Sequence, residues 1–191
     1  MQELFVSPEE VVATNWRCLH NIKMLQAYFL ICREGLSHKI PPVILVSAEE
    51  LLPYFGDTTG HKFNEYRKEN PLVRYFLADG SHRSCAAAMT LTQCPALILE
   101  NQTDIEKMQE LSAQGRVFRS TPNASNINLT GNFDKLKNDL CRHFEESGHF
   151  WTVSQKTIAM MGSGCLPGYM VDYYSANKVP GIFRQVSMIL A

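Results

Sequence analysis

Apolar residues recur along this chain in two rhythms. Short runs (Leu4-Phe5-Val6, Val43-Ile44-Leu45-Val46, residues 73–78 and Ala96-Leu97-Ile98-Leu99) are too brief for helices and read as strands, the last three buried. Longer stretches space their apolar residues for helices. Trp16, Leu19, Ile22, Met24, Leu25, Phe29, Leu30 and Cys32 predict a largely buried helix over 16–36, ending near Gly35. Phe133, Leu136, Leu140 and Phe144 predict an amphipathic helix that stops by Gly148. Helices are also expected over 84–91, 104–113, 151–161 and the apolar tail 169–191, with one or two helical turns in 48–55. Ser7-Pro8-Glu9-Glu10 reads as a helix start, with Ser as N-cap, Pro in the first turn and acids against the helix dipole.

Two stretches carry no such rhythm. Residues 56–71, with Gly56, Asp57, Gly60, Asn70 and Pro71, read as a polar excursion over the surface. Residues 114–132 read as a loop or linker. Strand, helix and strand follow one another over 73–99, the order of a right-handed crossover within one sheet. The expected fold is therefore α+β, with α/β-like character: a small mixed sheet surrounded by helices. The expected division is a sheet domain over 1–113, a linker over 114–131 and a helical C-terminal extension over 132–191.

Composition narrows the function only slightly. With 191 residues, 45% hydrophobic and 19% charged, the chain can bury a core. A formal net charge of −1 argues against a dedicated DNA binder, which normally shows a basic excess. The six cysteines contain no C-x-x-C pair and are scattered as reduced thiols would be. The start, MQELFVSPEEVV, lacks the basic and apolar parts of a leader, and no stretch is long and apolar enough to span a bilayer. A cytoplasmic protein without membrane contact is the expectation.

The densest chemistry lies at Asp79-Gly80-Ser81-His82-Arg83-Ser84, between a strand and an alanine-rich helix. A capped turn would account for Asp79, Gly80 and Ser81. It leaves His82 and Arg83 unexplained, because cations in a first helical turn oppose the dipole unless an anion is bound there. Backbone N–H groups, hydroxyls and a guanidinium at a helix start are the parts of a phosphate site. His82 could add a switchable proton donor, and Asp79 could hold a metal ion or orient a neighbour. The stretch is neither a P-loop nor a dinucleotide fingerprint.

The order strand, "DG-x-HR", alanine-rich helix and strand "PALILE" resembles the ParB/sulfiredoxin-like superfamily. "IPPVILV" and "LFVSPEEVV" resemble the preceding elements of such domains, and the "EEV" stretch resembles that of the free serine kinases sharing the fold. The resemblance covers roughly residues 3–105. It implies a nucleotide (ATP, ADP or CTP) with Mg²⁺, its phosphate cradled by Gly80, Ser81, His82, Arg83 and Ser84. It also implies Asp79 as a metal ligand, His82 as a proton donor and Glu9 or Glu10 as a base. Phosphoryl transfer to a small-molecule acceptor, or nucleotide hydrolysis, would follow. A DNA-associated ParB-like or nuclease-like module and a non-catalytic phosphate-binding domain are the alternatives. Ser81 stands where sulfiredoxins carry their reactive cysteine, and Cys85 lies a turn too far on, so sulfinic acid reduction is not expected.

Other clusters read as ordinary surface. Glu145 and Glu146 between His143 and His149 do not make a metal-ligand spacing. Lys62, Arg67, Lys68 and Arg74 with Phe63 and Tyr66 form a basic–aromatic stretch diluted by Glu65 and Glu69. Arg116 and Arg119 fall in the linker.

Overall fold

The computed structural model describes residues 1–14, 21–115, 117, 129 and 131–178. The start of the expected helix 16–36, most of the linker with Arg116 and Arg119, and the tail beyond 178 lie outside the described residues.

Five strands form one mixed sheet: β1 (Gln2–Val6), β2 (Val11–Val12), β3 (Val43–Ser47), β4 (Tyr75–Asp79) and β5 (Cys94–Leu99), in the order β1-β5-β3-β4-β2. β3 lies centrally, parallel to β5 and antiparallel to β4. Its side chains alternate between the two faces, and both faces are covered, so Val43 to Val46 are all buried. Eight α-helices flank the sheet among the described residues: α1 (Ile22–Arg33), α2 (Ala48–Leu51), α3 (Asp57–Glu69), α4 (Ser81–Thr90), α5 (Gln102–Ala113), α6 (Phe133–Ser147), α7 (Val153–Gly162) and α8 (Gly168–Asn177). The α+β expectation holds. None of these helices is long and apolar enough to cross a membrane.

Each face has its own apolar cluster. Ile44, Val46 and Phe76 pack with α2, α3, α5 and α6, while Val43, Leu45 and Leu77 pack with α1, α4, α7 and α8. The chain expected as a C-terminal extension is helical as far as Asn177 and supplies α6 to one face and α7 and α8 to the other. Val117 and Leu129 are buried in the first cluster.

Three local expectations change. Ser7 to Glu10 do not open a helix. Glu10 N–H donates to Ser7 O in a turn, and the Glu10 carboxylate accepts from Ser7 N at 2.8 Å. The next two residues are β-branched, and they pair with β4 instead of continuing the turn. Residues 57–69 are helix, not excursion. Phe63 is 0% exposed, with its ring 4.9 Å from Phe76 and 5.0 Å from Phe150, and this anchor overrides the turn-forming residues. Finally, β4 and β5 run in opposite directions, so the helix between them is not a parallel crossover. The pairings Ile44↔Asp79 and Val43↔Ala96 put the end of β4 and the start of β5 at the same end of the sheet, where α4 both leaves and returns.

The sheet must also curl. Five strands laid flat would put β1 and β2 ~19 Å apart. The turn at Ser7–Glu10 lets Val6 and Val11 separate by only ~15 Å. The two edges therefore approach one another. Residues 151–152 lie along the outer side of β2, where Ala13 N donates to Trp151 O at 2.9 Å and Val12 bridges Thr152.

Candidate functional site: the start of helix α4

The corner divides into residues that hold it together and residues that line a hollow. Gly80 takes φ +109°, and a Cβ there would stand 2.6 Å from Val43 Cγ1. Only glycine fits both the conformation and the approach to β3. Arg83 is 5% exposed. Its Nη2 donates to Asp79 Oδ2 at 2.7 Å, and its Nη1 donates to the carbonyls of Pro41 and Pro42. The pair ties the end of β4, the first turn of α4 and the entry to β3 into one strut. Arg83 therefore points inward, and the expected neutralisation of a bound phosphate by its guanidinium does not fit this geometry.

Asp79 is likewise committed. Its carboxylate is buried against Arg83, and the described residues contain no group of three His, Cys, Asp or Glu that could hold a metal ion. Neither Asp79 nor Ser81 caps the helix, because α4 has no side-chain cap, although its first internal bond, Ser84 N to Gly80 O at 2.9 Å, is formed. Backbone N–H groups at a helix start remain as anion donors.

What the corner presents is a small hollow of about 20 Å³ lined by Ser81, Ser84, Cys85, Thr157 and the buried Lys156. Its size admits a water or the tip of an oxyanion, and no sugar or base. Lys156, on the second turn of α7, is the residue that sequence inspection missed. Its approach depends on the pairing of residues 151–152 with β2, which no local pattern encodes. Thr157 Oγ1 contacts Cys85 Sγ at 3.6 Å within that lining. His82 lies in the first turn of α4 and is partly buried.

Glu9 and Glu10 do not meet this hollow. Glu10 O accepts from Arg74 N and Tyr75 N, at the end of β4 opposite Asp79. Glu9 lines a separate cavity beside Ala88, Leu91, Thr92 and Gln93. Leu91 lies ten residues beyond Ser81, ~15 Å along a helix axis. Neither residue lines the hollow at the start of α4.

The basic–aromatic stretch is the surface of α3 and its flank. Arg67 pairs with Glu49 at 2.7 Å and Lys68 with Glu65 at 2.6 Å, while Phe63 faces the core and Tyr66 donates its hydroxyl proton to Gln155 at 2.8 Å. No strip of uncompensated cations and exposed rings results. Among the cysteines, Cys94 and Cys141 are pushed up to about 12, chiefly by burial, which makes them inert thiols.

Comparison with protein-family models, with curated proteins and with solved structures finds no match to this chain. The likeness to the ParB/sulfiredoxin-like superfamily therefore rests on the corner and its flanking elements alone.

Proposed function

We propose that this protein binds a phosphate group, carried by a nucleotide or a related phosphoester, at the start of α4. One observation carries the reading. The uncapped first turn borders a hollow whose lining includes Ser81, Ser84 and a buried lysine, Lys156. Oriented amides, the Ser81 hydroxyl and the nearby charge of Lys156 favour an anion over water. The nucleoside would extend outward, since the hollow takes only the phosphate tip.

Of the roles implied by the resemblance, binding is the one best supported. Phosphoryl transfer or hydrolysis needs a base and commonly a metal ion. Asp79 is spent on Arg83, and Glu9 and Glu10 lie elsewhere, so His82 is the one acid–base group of the expected set in the corner. The DNA-associated reading gains nothing from α3, whose Arg67 and Lys68 are matched by carboxylates.

The test is a thermal-shift titration with ATP, ADP, CTP, GTP and inorganic phosphate, each with and without Mg²⁺. A ligand at ~100 times its Kd stabilises the fold by ~2.7 kcal/mol. The wild type is expected to show such a rise with at least one phosphate compound. Lys156→Met and Ser81→Ala should reduce it. No rise in the wild type, or an equal rise in Lys156→Met, overturns the assignment.

A further inference from the structure

A larger recess than the corner's lies between α4 and the C-terminal helices. It is a cavity of about 450 Å³ at the opposite end of α4, lined among others by Glu9, Ala88, Leu91, Ser154, Thr157 and Tyr174. That volume falls in the range of small-molecule sites. Its electrostatic character is the reverse of the corner's. Glu9 contributes a carboxylate, and among the described residues no Lys, Arg or His lines the recess. Two helices, α4 and α8, end on it, the first at Leu91 to Gln93 and the second at Tyr174 to Asn177. Helix C-termini carry partial negative charge. Among the described residues, the helix start at the rim is that of α7, where Ser154 N–H is turned onto Pro8 O at 3.3 Å. Pro8, Ala88 and Leu91 give apolar wall, and Ser7, Ser154 and Thr157 give hydroxyls.

We infer that this cavity binds a small organic cation, a primary ammonium on a short carbon stem, with Glu9 as its counter-ion. A carboxylate and two helix C-termini around one recess favour positive charge. The apolar wall accommodates methylene groups, and the hydroxyls accept the remaining ammonium protons. Glu9 also acts across the recess on Tyr174, whose hydroxyl is raised to about 12 by burial first and by that carboxylate second. Thr157 lines both this recess and the hollow at the corner, but the inference does not rest on phosphate binding there.

Calorimetric titration of the full chain with ethanolamine and 1,4-diaminobutane, beside the uncharged ethylene glycol and 1,4-butanediol, tests this. At least one amine should bind at ~1 mM or tighter while its diol counterpart does not. Glu9→Gln should weaken the amine by ~10-fold or more, as loss of a charge-assisted hydrogen bond does. Ala88→Met, which fills the recess from α4 and leaves the carboxylate in place, should weaken it as well. Ser81→Ala should leave amine affinity unchanged, so failure here is distinguishable from failure of the phosphate reading. Equal binding of amine and diol, no amine binding, or undiminished affinity in Glu9→Gln overturns the inference. The wild-type comparison of amine with diol decides the matter even where a variant does not fold.

Discussion

Arg83 shows how one side chain can carry two opposite meanings. In sequence it sits in the first turn of a helix, where a cation invites an anion from outside. In the fold the anion is Asp79, one turn back, and the guanidinium also satisfies two proline carbonyls more than 40 residues upstream, Pro41 and Pro42. Those carbonyls could not be foreseen as partners, because nothing local brings residues 41–42 to residue 83. The consequence is energetic. Arg83→Met leaves a buried carboxylate without its counter-charge, and such a loss costs ~3–5 kcal/mol. Urea denaturation should show that drop, and Asp79→Asn in the same chain should recover part of it. Full stability in Arg83→Met would mean that the pair does not hold the corner. Gly80, in contrast, was legible as a turn residue between strand and helix, and the fold adds its positive φ and the close approach of Val43.

Among the elements, the apolar runs translated directly. β1, β3, β4 and β5 fall within about two residues of where alternation and burial put them, and α6 starts and stops at its expected residues. Two elements were hidden, for different reasons. At Ser7–Glu10 the local signal is real, since Ser7 and Glu10 do clasp one another. Sheet pairing then captures Val11 and Val12. In α3, glycine, asparagine and charge mask a helix whose apolar side is little more than Phe63 and Tyr66. Asp57 in its first turn and Arg67 and Lys68 in its last were the available clues. A helix held by so narrow a seam depends on its anchor. Phe63→Ala removes a ring packed among Phe55, Phe76 and Phe150, and losses of this kind are ~3–5 kcal/mol. Hydrogen exchange should show protection across 57–69 falling with it. Unchanged protection would mean that α3 is stable without the aromatic seam.

For the molecule as a whole, class was readable and topology was not. Alternating strands and helices imply a mixed α and β protein. The order β1-β5-β3-β4-β2, and the opposite directions of β4 and β5, arise from pairings between distant segments. The same distant packing sets the acid response. His143 is lowered to about 4 from the usual 6.5, by burial first and then by the neighbouring charges of Lys156 and His149. The unfolded chain therefore takes up this proton at higher pH than the folded one. Its contribution is complete above pH 6.5 and is lost as pH falls from there toward 4. Allowing for partial exposure, the loss is on the order of 1 kcal/mol. Comparing urea midpoints at about pH 7.5 and about pH 4.5 in wild type and His143→Gln checks this, the variant showing the shallower dependence. Identical slopes would remove His143 from the acid response.

The curled sheet bears on the order in which the molecule can be made. Its short edge strand β2 is synthesised well before the segment that covers its free side, which follows roughly 140 residues later. Until Trp151 and Thr152 arrive, a nascent or truncated chain carries an open sheet edge able to recruit a second chain. The recess around Lys156 waits on the same event, so the phosphate binding proposed there requires α7 to be seated beside β2.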